Sequence, residues 1–206
     1  MSNFVFLEGI KTEINDAIAN KIKKLLQDSY TPFQRALKKT FRWEGGFTDD
    51  ELDSGGATRF GISLSFLKNS NIDINDDGIV DREDIIDIDK EDAETLYKIH
   101  FWKLLKCDYI LSFLIQRQLF DIGVNAGNRR AVKILQKCLN TMGESLVVDG
   151  LIGKKTLATL NTKNYKVLNN IMADERIKFY ENIVQKYPKN RKFLNGWLNR
   201  AKDFYI

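Results

Sequence analysis

The chain has 206 residues, 43% of them hydrophobic, and a net charge of +4, enough for one sizeable core or for a core with a small appendage. The mild positive balance is compatible with a polyanion such as a bacterial cell wall or a nucleic acid and requires neither. The single histidine argues against a His-rich zinc amidase, and Cys107 and Cys138 lack metal-type spacing.

At the N-terminus, "MSNFVFLEGIKTEINDA" has no basic leading region, and Glu8 interrupts its apolar run. It does not read as a signal peptide, so the chain is expected to be made in the cytoplasm and to leave by a route not written there. Ile10, Ile14, Ile18 and Ile22 recur every four residues, followed by Leu25 and Leu26. That period predicts an amphipathic helix packed on the body or on a partner. Pro32 opens a second helix with Phe33, Leu37, Thr40 and Phe41 on one face, stopped by Gly45-Gly46.

Thr48 to Ile62 is rich in Asp, Gly and Ser and predicts a loop or short hairpin. "SLSFLKNS" is a short helix candidate, and "DINDDGIVDRED" reads as a polar loop. "DKEDAETLYKIHFWKLL" predicts a helix with Asp89 as N-cap; His100 within it suits a core or groove position. "LSFLIQRQLFDIGVNAG" predicts a helix buried on more than one face, and "NRRAVKILQKCLNTMG" another. The turn-rich "VVDGLIGKKTLATL" precedes two final helices near Lys166 to Lys186 and Lys189 to Phe204. No apolar run approaches 20 residues, so no stable membrane insertion is expected. The sum is a mainly α fold with a small hairpin or loop lobe.

The chemistry-bearing stretch is "FRWEGGFTDDELDSGGATRFGIS", Phe41 to Ser63. Glu44 falls in the last turn of a predicted helix, where the partial negative charge of the helix end opposes its ionisation. Trp43 and Phe47 add apolar surroundings that push the same way. A glutamate kept protonated near neutral pH is what a general acid needs. Asp53 follows in a loop that can turn back toward Glu44. Two carboxylates flanking one bond are the minimum machinery of glycoside hydrolysis. Gly55 and Gly56 permit close backbone approach to a sugar, and Thr58 has a hydroxyl for a water.

"WEGGF" followed by "DSGGATRFGIS" resembles the signature of glycoside hydrolase family 108, whose members are N-acetylmuramidases, or lysozymes, of phages and bacteria. "FDIGVNAGNRRAVKILQ", "VDGLIGKKTLATL" and "FLNGWLNR" are similar to the predicted peptidoglycan-binding region that follows in that family. The resemblance spans about Thr31 to Phe204. It implies a lysozyme-like helical domain in which Glu44 is the acid and Asp53, aided by Thr58, is the base candidate. Phe47 stands where tyrosine is usual, and the gap from Asp53 to Thr58 is shorter than in phage-type lysozymes of the same Glu, Asp, Thr order. Gly56 and Phe60 become substrate-binding candidates. Asp121 and Asn125, one helical turn apart, either line the glycan cleft, as the resemblance implies, or form a buried polar pair bracing Gly-rich loops.

The implied organisation is an N-terminal helix over 1–30, a catalytic region over 31–110, and a helical peptidoglycan-binding region over 111–206 that completes the same body. The expected partner is the peptidoglycan glycan strand, with no nucleic acid and a monomeric state. The expected place of action is the cell wall, reached after release by a holin, a secretion system or a phage machine. A lytic transglycosylase and a non-catalytic phage tail or wall-binding module remain alternatives.

The residues over 73–84 point separately to a metal. Asp73, Asn75, Asp77, Gly78, Ile79, Asp81 and Asp84 occupy positions 1, 3, 5, 6, 7, 9 and 12 of an EF-hand-like loop. Asp73, Asn75, Asp77, the Ile79 carbonyl and Asp84 are the candidate ligands of a structural Ca2+, with Val80 as the apolar anchor. Aspartate at the twelfth position makes the loop more dockerin-like. The alternative is an acidic, solvated loop.

Overall fold

The computed structural model describes residues 30–42 and 58–206. The N-terminal helix expected over residues 10–26 lies outside them. The first helix, α1 (Pro32–Phe41), begins in a capping box: the Thr31 side chain accepts from the Gln34 N–H while Gln34 reaches back to the Thr31 N–H. Its buried face is Phe33, Ala36, Leu37, Thr40 and Phe41, the face read from the period.

A small antiparallel hairpin joins β1 (Thr58–Arg59) to β2 (Ile62–Ser63), with Thr58 opposite Ser63 and Arg59 opposite Ile62. Phe60 and Gly61 form its two-residue turn, both at positive φ, +52° and +74°. That is the backbone that matches strand twist in a tight hairpin. Gly61 is required twice over, because a Cβ there would stand 2.6 Å from the Tyr97 hydroxyl. Ser63 caps α2 (Leu64–Ser70), and Asn71 ends it in the left-handed region.

The polar stretch after α2 holds more helix than its composition suggests. Asp81 accepts from the Glu83 N–H, Asp84 reaches back to the Asp81 N–H, and α3 (Arg82–Asp87) forms on that cap. The same device starts α4 (Lys90–Tyr97), where Asp89 and Asp92 exchange bonds. The expected single helix through Leu105 changes register instead: Lys98–Lys103 is a π-helical turn. Within it the His100 carbonyl accepts from the Asn128 side chain at 2.6 Å, and the half-buried imidazole meets Phe66 edge-on.

The remaining helices are α5 (Phe113–Ala126), α6 (Asn128–Thr141), α7 (Lys154–Leu160), α8 (Tyr165–Lys186) and α9 (Arg191–Lys202). The centre of the body is α5, which packs against α1, α6 and α8. It is buried on more than one face, as its sequence predicts, and places Phe120 in an edge-to-face trio with Phe33 and Trp102 at centroid distances of 5.6–5.9 Å. Each such buried aromatic contributes about 1.5–3 kcal/mol from burial, and the edge-on geometry adds to it. The fold is mainly helical with one two-strand hairpin among the described residues. No helix among them is long and apolar enough to cross a membrane. Cys107 and Cys138 are buried and unbridged; burial pushes the Cys107 thiol well up and the Cys138 thiol to about 12.

Candidate functional site

Of the residues assigned to sugar cleavage and sugar contact, Glu44, Asp53 and Gly56 lie outside the described residues. Thr58 and Phe60 are placed by the hairpin. Thr58 is exposed at the start of β1, and Phe60 is half-buried at the tip of the turn. The tip is pinned to the helical body in two ways. The Tyr97 hydroxyl donates to the Phe60 carbonyl at 3.3 Å, and the Arg59 guanidinium donates to the Ile86 carbonyl. Side chains near Thr58 therefore project from a turn tied to α3 and α4 rather than from a free loop.

Asp121 and Asn125 sit at one face of α5 but in different surroundings. The Asp121 side chain is 0% exposed. Arg200 donates to both its oxygens, at 3.0 Å from Nε and 2.9 Å from Nη2, and Arg176 Nη1 lies 2.7 Å from Oδ2. Burial alone raises the carboxyl pKa, but the Arg176 and Arg200 charges and their hydrogen bonds outweigh it and hold it below the usual value. Of the two readings the sequence leaves open, this geometry matches the buried brace and not a cleft-lining acid, because both oxygens are already engaged and no solvent reaches them. Asn125, half-buried, accepts from the Tyr180 hydroxyl at 2.5 Å, and Tyr180 accepts from Arg176 Nε at 2.7 Å. Burial raises the Tyr180 pKa, so the phenol stays protonated and able to donate. The network thus runs from the enclosed Asp121 outward to the half-buried Asn125.

Arg176, Tyr180 and Arg200 are functional neighbours the sequence reading did not pick out. The signal was there: Arg176 interrupts the buried stripe Leu168, Met172, Ala173, Tyr180 and Val184 of α8. A charge in an apolar stripe needs a buried partner.

The loop over 73–84 is folded on its own backbone. Asp73 Oδ2 accepts from the Gly78 N–H at 2.7 Å, Asn75 Oδ1 from the Asp77 N–H at 3.1 Å, and Asp77 Oδ1 from the Ile79 N–H at 2.8 Å. Asp84, fully buried, accepts from the Ile74 N–H at 2.6 Å and the Asp81 N–H at 2.7 Å. Burial opposes its charge, but N–H donors from Asp81, Ile74 and Asn75 keep its pKa lowered. Gly78, at φ +90°, makes the sharp turn. With the carboxylates turned onto N–H groups, no three acidic, His or Cys side chains among the described residues converge on one point. One atom is left over: Asp73 Oδ1 is buried and has no hydrogen-bond partner.

Residues 37–127 match the family model described as Glycosyl hydrolase 108, and residues 130–202 match the one described as Predicted Peptidoglycan domain. The first range ends at Gly127, between α5 and α6, and the second begins at Arg130, in the first turn of α6. No curated protein matches the chain. Among solved structures, SagA of Brucella abortus is similar at 26% identity and a TM-score of 0.61, over 84% of this chain and 94% of that one.

Proposed function

From a chain whose residues 37–127 belong to the glycosyl hydrolase 108 family, and which is a peptidoglycan hydrolase acting on the cell wall, we propose a lysozyme: an N-acetylmuramidase that hydrolyses the β-1,4 bond between N-acetylmuramic acid and N-acetylglucosamine. The observation that carries this reading is the order of the two matched regions, a glycosidase followed directly by a peptidoglycan domain.

In this reading Glu44 gives its proton to the leaving glycosidic oxygen. A water held by Thr58 loses a proton to Asp53 and adds its oxygen to the anomeric carbon on the opposite face. Positive charge developing on the sugar ring between those events is stabilised by the carboxylates on either side. Gly56 lets the backbone lie close to the strand, and Phe60 offers a ring beside it. Asn125 presents a polar group from the body, whereas Asp121 holds the helix that carries it. The enzyme works on the glycan strand as a monomer, as a bacteriolytic, endolysin-like protein delivered to the wall by a holin, a secretion system or a phage machine.

A calcium ion is proposed for the loop over 73–84. The buried, unpartnered Asp73 Oδ1 supports it, together with oxygen donors at every EF-hand position. Asp73, Asn75, Asp77, the Ile79 carbonyl and Asp84 would hold the ion, and it would fix the loop's shape without entering the chemistry.

Mass spectrometry of digested, purified peptidoglycan tests the reaction. Reducing muramic ends are expected. Anhydro-muramic ends would identify a transglycosylase, and an uncut polymer a binding module; either overturns the lysozyme reading.

A further inference from the structure

A cleft of about 750 Å3 lies between α6 and α8, lined mostly by the region matched to the peptidoglycan domain and at one end by residues 126–129 just before it, and falls in the size range of small-ligand sites. Its walls carry Arg129, Arg130, Lys133 and Lys137 against one carboxylate, Glu175. Glu175 pairs with Lys137 at 3.5 Å. Among the described residues, neither Arg130 nor Lys133 has a carboxylate at ion-pair distance.

Arg129, Lys133 and Lys137 are spaced by four, which stacks three like charges along one stripe of α6. Such like-charge pairs destabilise an isolated helix. Gly127, the N-cap of α6, and Asn128 line the same cleft, which sets the positive end of the helix beside it. Arg129 Nε donates to the Asp149 carbonyl at 3.3 Å and Lys137 pairs with Glu175, which leaves Lys133 and Arg130 as the cations that gain from an anion in the cleft.

The far wall adds flat apolar surface. Arg130 lies over the Phe179 ring at 4.8 Å. Behind Phe179 the rings of Tyr180 and Trp197 follow at centroid steps of 5.3 Å each, but Tyr180 is buried, so Phe179 alone brings an aromatic face to the cleft. The cleft therefore offers cations beside the half-buried Phe179 ring.

We propose that this cleft takes the carboxylate-bearing stem peptide of peptidoglycan, with the adjoining sugar beside Phe179. The proposal rests on the reading that the chain acts on peptidoglycan. Stem peptides carry several carboxylates on a short flexible chain attached to a sugar, which is the chemistry these walls complement. Its role is to select how the strand is held rather than how it is cut.

The test is isothermal titration of the full chain with N-acetylmuramoyl tetrapeptide, which has no glycosidic bond to cleave. Binding is expected that weakens as salt is raised, falls at least about tenfold when the peptide carboxyls are converted to amides, and falls as far in Arg130→Ala/Lys133→Ala. Near-UV circular dichroism checks that variant's fold, and Lys133→Gln alone stands in for it if the pair is unfolded. Equal affinity for acid and amide, or an unchanged affinity in the folded variant, overturns the assignment. So does binding of poly(glycerol phosphate) with no binding of the muropeptide, which makes the cleft a phosphate site. Product analysis on whole peptidoglycan runs beside it. Muramic ends without muropeptide binding sink this proposal and leave the lysozyme reading standing; muropeptide binding without muramic ends does the reverse.

Discussion

The Tyr180 hydroxyl donates to Asn125 Oδ1 at 2.5 Å across the seam between α5 and α8. The Tyr180 hydroxyl oxygen in turn accepts from Arg176 Nε, so one phenol orients both a half-buried amide and a buried guanidinium. Tyr180→Phe keeps the ring and its stack on Trp197 but strands both partners. Unfolding in urea should show a loss of about 1–3 kcal/mol, the cost of buried polar groups left unpaired. A loss within error of zero would mean that water replaces the hydroxyl.

Asp121→Asn leaves Arg176 and Arg200 facing each other without a counter-charge. Breaking one side of a buried ion pair costs about 3–5 kcal/mol, and denaturant melting at pH 7 should read that loss. The pH dependence has a definite sign. The folded carboxyl has a lowered pKa, so the unfolded chain binds the proton more readily. The stabilisation is complete above the unfolded value of about 3.9 and is lost as pH falls below it toward the folded value. Wild-type stability should therefore drop steeply below about pH 4, and the Asp121→Asn curve should be flatter there.

Glu44→Gln retains shape and removes the transferable proton. Turnover on purified cell walls should fall at least about a hundredfold, in line with losing acid catalysis. Full turnover in a variant with native circular dichroism would remove Glu44 from the mechanism.

Excess calcium against EGTA should raise the melting temperature through preferential binding to the folded chain. Asp73→Ala with Asp77→Ala should abolish the shift while leaving cleavage of peptidoglycan intact under conditions where the variant is folded. Identical melting curves and no heat of binding would leave an acidic loop held by its own backbone hydrogen bonds.

What the sequence made legible was local. Phe33, Leu37 and Phe41 announced one face of α1 by period, Asp89 announced a helix start, and the motifs around Glu44 announced the family. The π-helical turn at Lys98–Lys103 carried no such signal, because its carbonyl at His100 is met by Asn128, 28 residues away. The helix α3 was hidden by composition, since its aspartates do double duty as caps and as loop acceptors. Asp121 was visible as a polar residue on an apolar helix, but its two arginines come 55 and 79 residues later. Periodicity within α5 could show that the carboxylate was buried and could not show what neutralised it. Glu44, Asp53 and Gly56 rest on the sequence and the family match alone.

The buried Asp121 also bears on how such enzymes can be rebuilt. Its carboxylate belongs to the region matched as a glycosidase, whereas Arg176 and Arg200 belong to the region matched as a peptidoglycan domain. A chimera cut at Gly127 and fused to a foreign wall-targeting module would enclose an acid with no base, or two bases with no acid. The recombination point suggested by sequence families is thus not a seam in the charge structure, and retargeting by exchange of parts is best done by adding a module beyond α9 rather than by replacing α6 to α9.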